Sequence, residues 1–186
     1  PSALDSVLGL AKLTSGTIGS ATAVADVTMT AYTGDAHKLL VLDLIPATDS
    51  TQLTMRVSTD GGTNYDSTAN GYTDSAWFTD DTGAFSVQAN TVAAGATGLA
   101  LSYAQNIGNG ATEGVSARVV MVNTTSTAKW PRFSVESEWI SADVTPRSAN
   151  MKGSGVRRSA QDTDAVRIYF GSGNIASGTW VLYGFN

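Results

Sequence analysis

The sequence contains no cysteine and only one histidine, His37. Without cysteine the chain can have neither a disulfide framework nor a thiolate metal site, and a single histidine removes every multi-histidine metal site. No apolar run approaches the ~20 residues that a membrane-spanning helix needs. The sequence therefore predicts a protein without a bound cofactor and without a membrane span.

Charge is also scarce, since Asp, Glu, Lys and Arg make up only 15% of the residues and the net charge is −5. A net negative charge disfavours nucleic acid as a partner, because the phosphate backbone repels it. The first residues, PSALDSVLGLAKL, lack the basic region and the long apolar stretch of a secretory signal peptide, so none is expected.

What the sequence does contain is glycine, serine, threonine, alanine and asparagine, with an ordinary hydrophobic fraction of 42%. Such a composition is typical of an all-β protein with many polar turns, and it argues against disorder. A chain of 186 residues is long enough to bury a sizeable core as one domain.

Period-two alternation identifies most of the strands. It is clearest in residues 52–58, where Leu53, Met55 and Val57 face inward while Thr54 and Arg56 face outward. Residues 38–45 are nearly continuously apolar, which predicts a strand covered on both faces. Further strands are predicted at residues 14–18, 23–31, 77–78, 85–87, 99–103, 115–122 and 133–140.

The C-terminal stretch is the most apolar part of the chain. Residues 164–170 alternate strictly, residues 171–178 are rich in glycine, and residues 179–183 form a second β-rich run. This pattern predicts an antiparallel hairpin in the middle of a sheet. The polar residues 145–161 are predicted to form an exposed loop with one weak strand. Nine or ten short strands indicate an all-β, antiparallel β-sandwich that is jelly-roll-like.

One helix is predicted, over residues 2–12, because Leu4, Val7, Leu8 and Ala11 share one helical face. A helix this short needs a surface to lie on. We expect an N-terminal arm over residues 1–22, followed by the sandwich over residues 23–186. The apolar stripe is predicted to dock on a neighbouring subunit, and packing on its own domain is the alternative.

Two groups of polar side chains are candidates for chemistry. Asp60, Asn64 and Asp66 form an oxygen-rich loop whose ligands suit Ca²⁺, with turn-forming Asx residues as the alternative interpretation. Glu136 and Glu138 share one face of a strand, and paired carboxylates can hydrolyse glycosidic bonds. A plain polar face is the alternative, and the sequence is interpreted as non-enzymatic.

Aromatic side chains give a third candidate site. Trp77, Phe78, Tyr65 and Tyr72 could stack on the rings of a glycan if they are exposed. The alternative is that they belong to the core or to a subunit interface.

Several segments, read in order, resemble a family of tailed-phage virion structural proteins. They are LTSGTI (13–18), AHKLLVLDLI (36–45), LTMRVSTDGGTNYDS (53–67), NIGN (106–109), AVRIYF (165–170) and GSGNIASGTWVLYGF (171–185). The resemblance covers about residues 14–60 and 100–186, and its most specific part is the closing segment. It implies a jelly-roll-like β-sandwich behind a short N-terminal lead, and it brings no catalytic residues.

The resemblance implies a virion protein without enzymatic activity or cofactor. Its expected partners are other virion proteins, either the major capsid protein or tail proteins, and copies of itself in a homotrimer or another homo-oligomer. Capsid decoration, as a cement protein, is the preferred role. The alternatives are a tail- or fibre-associated role and a receptor-binding module that recognises a carbohydrate.

Overall fold

The computed structural model describes residues 9–29, 34–83, 85–90, 95–103, 107–143 and 145–185, with only the backbone for residues 88–90. Within these residues the chain forms no helix, and none can therefore cross a membrane. It forms twelve strands: β1 (Leu10–Ile18), β2 (Ala25–Thr28), β3 (Ala36–Pro46), β4 (Leu53–Ser58), β5 (Tyr72–Asp80), β6 (Phe85–Asn90), β7 (Leu99–Ala100), β8 (Gly114–Val122), β9 (Arg132–Ile140), β10 (Ser148–Arg157), β11 (Ala165–Phe170) and β12 (Ile175–Phe185).

The strands form two sheets. The larger sheet has eight strands in the order β1-β12-β3-β8-β9-β10-β5-β6, and the smaller has four in the order β2-β11-β4-β7. All paired strands are antiparallel, and the chain passes repeatedly from one sheet to the other. The predicted fold class, an all-β, antiparallel, jelly-roll-like sandwich, is confirmed.

The core lies between the two sheets and is built from alternate residues of each strand. Leu53, Met55 and Val57 of β4 are fully buried, as the alternation predicts. Leu39 and Val41 of β3, on the facing sheet, are equally buried. Because both inner faces are filled, function has to be sought on the outward faces and at the edges.

The predicted C-terminal hairpin is wrong. β11 pairs with β2 and β4 in the smaller sheet, whereas β12 pairs with β1 and β3 in the larger one. Residues 171–174 therefore cross between the sheets, with Gly173 at a φ of 72°. Alternation identified both strands correctly, but it carries no information about which strand each one pairs with.

Residues 145–161 were predicted to form an exposed loop with one weak strand, but the strand there, β10, has ten residues and lies in the interior of the sheet between β9 and β5. Two of its inward residues, Ala149 and Met151, are buried. Gly153 takes the next such position, where a Cβ would lie 2.6 Å from the Cβ of Ala76. A strand that packs through glycine shows no apolar periodicity, which is why its sequence reads as a loop.

The predicted helix is wrong where the structure describes it, since residues 10–12 belong to β1. Each of these residues pairs with a residue of β12, and Ala11 is opposite Gly184. The edge of β12 gives backbone hydrogen bonds to a segment too short for a stable isolated helix. Leu4, Val7 and Leu8 lie outside the described residues. The described part of the predicted arm, residues 9–22, thus contributes an edge strand to the sandwich.

Two other expectations need correction. Residues 38–45 were expected to be covered on both faces, yet Leu42 of β3 is 42% exposed. The sequence Asp60-Gly61-Gly62 predicts a tight hairpin turn. These residues do form a turn, with φ values of 71° at Gly61 and 92° at Gly62. The turn does not close a hairpin, because β4 and β5 lie in different sheets.

Candidate interaction surface

The outward side of the eight-stranded sheet, which we call the open face, presents one continuous row of side chains. The strand register places Trp77, Lys152, Glu136, Arg118 and Leu40 opposite one another on five adjacent strands, from β5 to β3. Neighbouring strands lie ~4.8 Å apart, so the row spans about 19 Å. It therefore has an aromatic end, a charged centre and an aliphatic end.

The charged centre is an ion network around Glu136. Arg118 forms an ion pair with its carboxylate, and the Lys152 Nζ lies 3.4 Å from Glu136 Oε1. About half of each cation's side chain is exposed, so these pairs contribute little to stability. Glu138 lies two residues further along the same face. A carboxylate held by two cations favours the interpretation as a plain polar face over that as a glycosidase acid pair.

The aromatic end of the row is an exposed apolar patch, which we call the aromatic shelf: Trp77 of β5 with Phe85 and Val87 of β6. Trp77 is 39% exposed, Phe85 64% and Val87 68%. The rings of Trp77 and Phe85 are stacked, with centroids 6.4 Å apart and an interplanar angle of 24°. A contiguous patch of exposed apolar side chains is a candidate contact site for another molecule.

Two shallow grooves follow the row. One, of about 550 Å³, runs along the aromatic shelf and is bordered by Ser75, Lys152 and Ser154. The other, of about 490 Å³, lies between β3, β8, β9 and β10 and contains the charged centre. Lys152 lines both grooves, so together they form one trough across the open face.

The outward side of the four-stranded sheet, which we call the closed face, is different. Arg167 donates two hydrogen bonds of 2.7 Å to the carboxylate of Asp26, and its guanidinium lies 4.0 Å from the ring centroid of Tyr65. Arg56 lies 4.9 Å from the ring centroid of Tyr169. Burial, followed by the nearby Asp26 charge, raises the pKa of Tyr65 to about 12. On the closed face, therefore, the arginine side chains contact carboxylate and aromatic groups of the same face.

The two carboxylates of the predicted Ca²⁺ loop accept hydrogen bonds within the protein, and Asn64 is one of the donors. Asp60 accepts hydrogen bonds from the Asn64 backbone (2.8 Å), the Asn64 side chain (2.8 Å) and Ser58 Oγ (2.7 Å), which lower its pKa to about 2. Asp66 Oδ2 instead accepts a hydrogen bond of 2.9 Å from Arg157 Nε. In the described part of the chain no three His, Asp or Glu side chains form a cluster that could hold a metal ion.

Asp66 and Arg157 form a largely buried ion pair, with side chains 16% and 5% exposed. Burial alone would raise the pKa of Asp66, but hydrogen bonds from Thr68 and Arg157 outweigh it and lower the pKa. The pair joins the loop after β4 to the end of β10, so its role is structural.

Of the four aromatic residues proposed for glycan stacking, only Trp77 has an exposed ring on the open face. Phe78 is buried and stacks on Tyr103, at 4.6 Å, and on Trp139, at 5.6 Å. Tyr72 is fully buried; its hydroxyl accepts a hydrogen bond from Val57 N and donates one to Asp66 O. Tyr65 lies under Arg167 on the closed face.

Sequence reasoning did not single out Phe85, Val87, Lys152 or Arg118. The strand at residues 85–87 was predicted, but its position at the edge of a sheet depends on long-range pairing that alternation does not reveal. The same holds for Lys152, which lies in the segment that was interpreted as a loop.

No protein-family model matches the chain, and no curated protein matches it. Among solved structures, the galectin LEC-6 of Caenorhabditis elegans is similar over 88% of this chain and 94% of that chain, at 11% identity and a TM-score of 0.34. The flagellar cap protein FliD of Escherichia coli is similar over 91% and 55%, at 14% identity and a TM-score of 0.16. Likenesses this weak bear neither on fold nor on function, and the fold assignment rests on the strand pairing.

Proposed function

We propose that the chain is a non-enzymatic structural protein of a tailed-phage virion that decorates the capsid as a homo-oligomer. The observation that carries the proposal is the aromatic shelf on the open face. Phe85 and Val87 each expose about two thirds of their surface and lie beside Trp77. Such a patch costs free energy in water, roughly 25 cal/mol per Å² of apolar surface, and it is explained if another protein covers it.

The sequence segments that resemble the family of tailed-phage virion structural proteins support the same role. The most specific of them, residues 171–185, forms the crossing between the sheets and β12, where Leu182 is fully buried. The segment that carries the resemblance is therefore part of the fold's core. The partners that follow from this role are the major capsid protein and further copies of the chain, in a homotrimer or another homo-oligomer.

Mass spectrometry and imaging of purified particles test the proposal. We expect the chain in intact virions, in hundreds of copies distributed over the head. A handful of copies at the tail would replace decoration by a tail-associated role. Absence of the chain from purified particles would reject a virion role altogether.

A carbohydrate-binding module is the second candidate, because Trp77 presents a half-exposed ring beside the hydroxyls and charges of the trough. A glycan array measures this directly. Saturable binding that is lost in Trp77→Ala and kept in Trp130→Ala would favour this candidate, since Trp130 is 47% exposed at a different place on the surface. Binding that neither change affects would exclude the trough as the site.

A further inference from the structure

In the part of the chain that the structure describes, the sandwich has four edge strands, which differ in how they are protected against pairing with another chain. An edge strand exposes unpaired backbone N–H and C=O groups, and monomeric proteins protect such edges with charges, irregular register or short length. β2 has four residues and carries Asp26, and β7 has only two residues. β1 carries Lys12, with an irregularity in its register between Lys12 and Thr14.

β6 has none of these protections. Its six residues, FSVQAN, include no charged residue and no proline, and its register with β5 is regular throughout. Within the described residues β6 pairs on one side only, with β5. Among its described side chains, those of residues 85–87, the two exposed ones, Phe85 and Val87, are apolar. A regular, uncharged, apolar edge is one that favours addition of a further strand.

We propose that β6 pairs with β6 of a second copy of this chain, antiparallel and around a two-fold axis, so that two eight-stranded sheets become continuous. In such an isologous contact the same surface serves both partners. Residues directly opposite each other in an antiparallel pair point to the same face of the sheet, so the two aromatic shelves would lie side by side as one apolar surface. Trp77, one strand behind the seam, would border this surface on each side.

A second copy fits this edge better than a charged partner does. Each chain carries a net charge of −5, which repels its copies at long range, but β6 itself places no charge at the seam. Pairing through β6 should therefore strengthen when salt screens the long-range repulsion. A contact built on ion pairs would weaken with salt instead.

The size of the contact sets the conditions under which it forms. Aromatic side chains bury about 150–250 Å² each, so the exposed fractions of Phe85, Val87 and Trp77 amount to roughly 300 Å² per copy, of which edge-to-edge pairing covers only a part. Stable complexes bury about 800 Å² per partner. The seam is thus weak between dilute molecules and forms where copies are concentrated. On a capsid the seam would link neighbouring oligomers to one another. In this respect the inference rests on the proposed function.

Cysteine scanning of β6 tests the seam, and the natural absence of cysteine makes every introduced thiol unique. Single cysteines at residues 85–89 are oxidised in concentrated protein, and disulfide-linked dimers are counted. A two-fold seam brings one position opposite itself, so we expect a maximum at one residue, at least ten-fold above Thr17→Cys on the exposed edge β1. Equal cross-linking at all positions, or none above the Thr17→Cys control, would overturn the proposal.

A matched pair of substitutions keeps the test independent of disulfide geometry. Val87→Lys should lower self-association at least ten-fold in sedimentation equilibrium at high salt, while Val87→Thr, which keeps the β-branched shape, should retain most of it. Both variants should melt at the temperature of the parent, because residue 87 is 68% exposed. If Val87→Lys associates as the parent does, the seam is elsewhere. A chain present in particles but without β6 cross-links would fail this inference alone, whereas absence from particles would fail the proposed function.

Discussion

The open face and the closed face are built from strands with the same alternation, yet their outward side chains have different neighbours. On the closed face Arg167 is held by Asp26 and lies over Tyr65, while Arg56 lies over Tyr169. On the open face Leu42, Phe85 and Val87 extend into water. Among the described residues, the closed face pairs its cations with its own carboxylates and rings, whereas the open face leaves apolar side chains exposed.

Alternation alone does not distinguish the two faces. It predicts that a residue points outward, but not which side chains on neighbouring strands lie beside it. The difference lies in cross-strand neighbours. Asp26 is directly opposite Arg167 in the register of β2 and β11, whereas Val87 is directly opposite Trp77 in that of β5 and β6. Asp26 and Arg167 neutralise each other's charge, whereas Val87 and Trp77 together form part of an exposed apolar patch.

The largest effect is expected from the core that both faces share. Leu182 of β12 is fully buried, so Leu182→Ala should lower the free energy of unfolding by about 2–5 kcal/mol. Thr54→Ala, on the outward side of β4, should cost less than about 0.5 kcal/mol. Urea denaturation measures both. Small, equal effects would show that the assignment of inward and outward sides is wrong.

A smaller effect is expected from the pairs of the closed face. Arg167→Ala removes a two-bond ion pair and a contact with the Tyr65 ring, but the partners are 32% and 41% exposed, so the cost should be about 1 kcal/mol. The matched change on the open face, Arg118→Ala, should cost about 0.5 kcal/mol or less. A larger cost for Arg118→Ala in denaturant titrations would contradict the contrast between the faces.

The contacts of the closed face should also affect the titration of tyrosine at alkaline pH. The pKa of Tyr65 is raised to about 12 in the folded protein, above the ordinary value of 10.0. The folded protein therefore binds the phenolic proton more tightly than the unfolded chain does. Its contribution to stability is therefore present below pH 10 and is lost as the pH rises towards 12. The absorbance of tyrosinate should develop late in the parent, and Tyr65→Phe should remove one late-titrating group. An unchanged titration curve would contradict the burial of Tyr65.

The smallest effect on stability is expected on the aromatic shelf. Phe85 is 64% exposed, so Phe85→Ser should change the free energy of unfolding by no more than about 0.5 kcal/mol. Thermal and urea unfolding of the isolated protein measure it. A cost above about 2 kcal/mol would mean that Phe85 supports its own domain rather than a contact with another molecule.

Much of the fold could be predicted from sequence where side chains carry the pattern. The inward set Leu53, Met55 and Val57 was predicted and is fully buried. For β10 only a weak strand in an exposed loop was predicted, and its interior position was not, because Gly153 and Gly155 occupy positions where a side chain would collide with Ala76 and Leu99. Only glycine fits at these two positions, because residues that are distant in sequence lie too close for a side chain.

The candidate site was less predictable than the fold. Trp77 was identified as a residue that could meet another molecule, but its neighbours in the patch became apparent only with the pairing of β5 and β6. Tyr72 and Phe78 were grouped with it, although both are buried. Sequence shows which residues are aromatic, while strand pairing decides which of them reach the surface together.

Hydrogen–deuterium exchange, measured on the isolated chain and on purified particles, tests the central claim most directly, because it compares the two faces in one experiment. If the open face is the assembly surface, backbone amides of β5 and β6 should become markedly more protected in particles, and those of β2 and β11 should exchange at the same rate in both samples. Added protection in β2 and β11 with none in β5 and β6 would contradict the account.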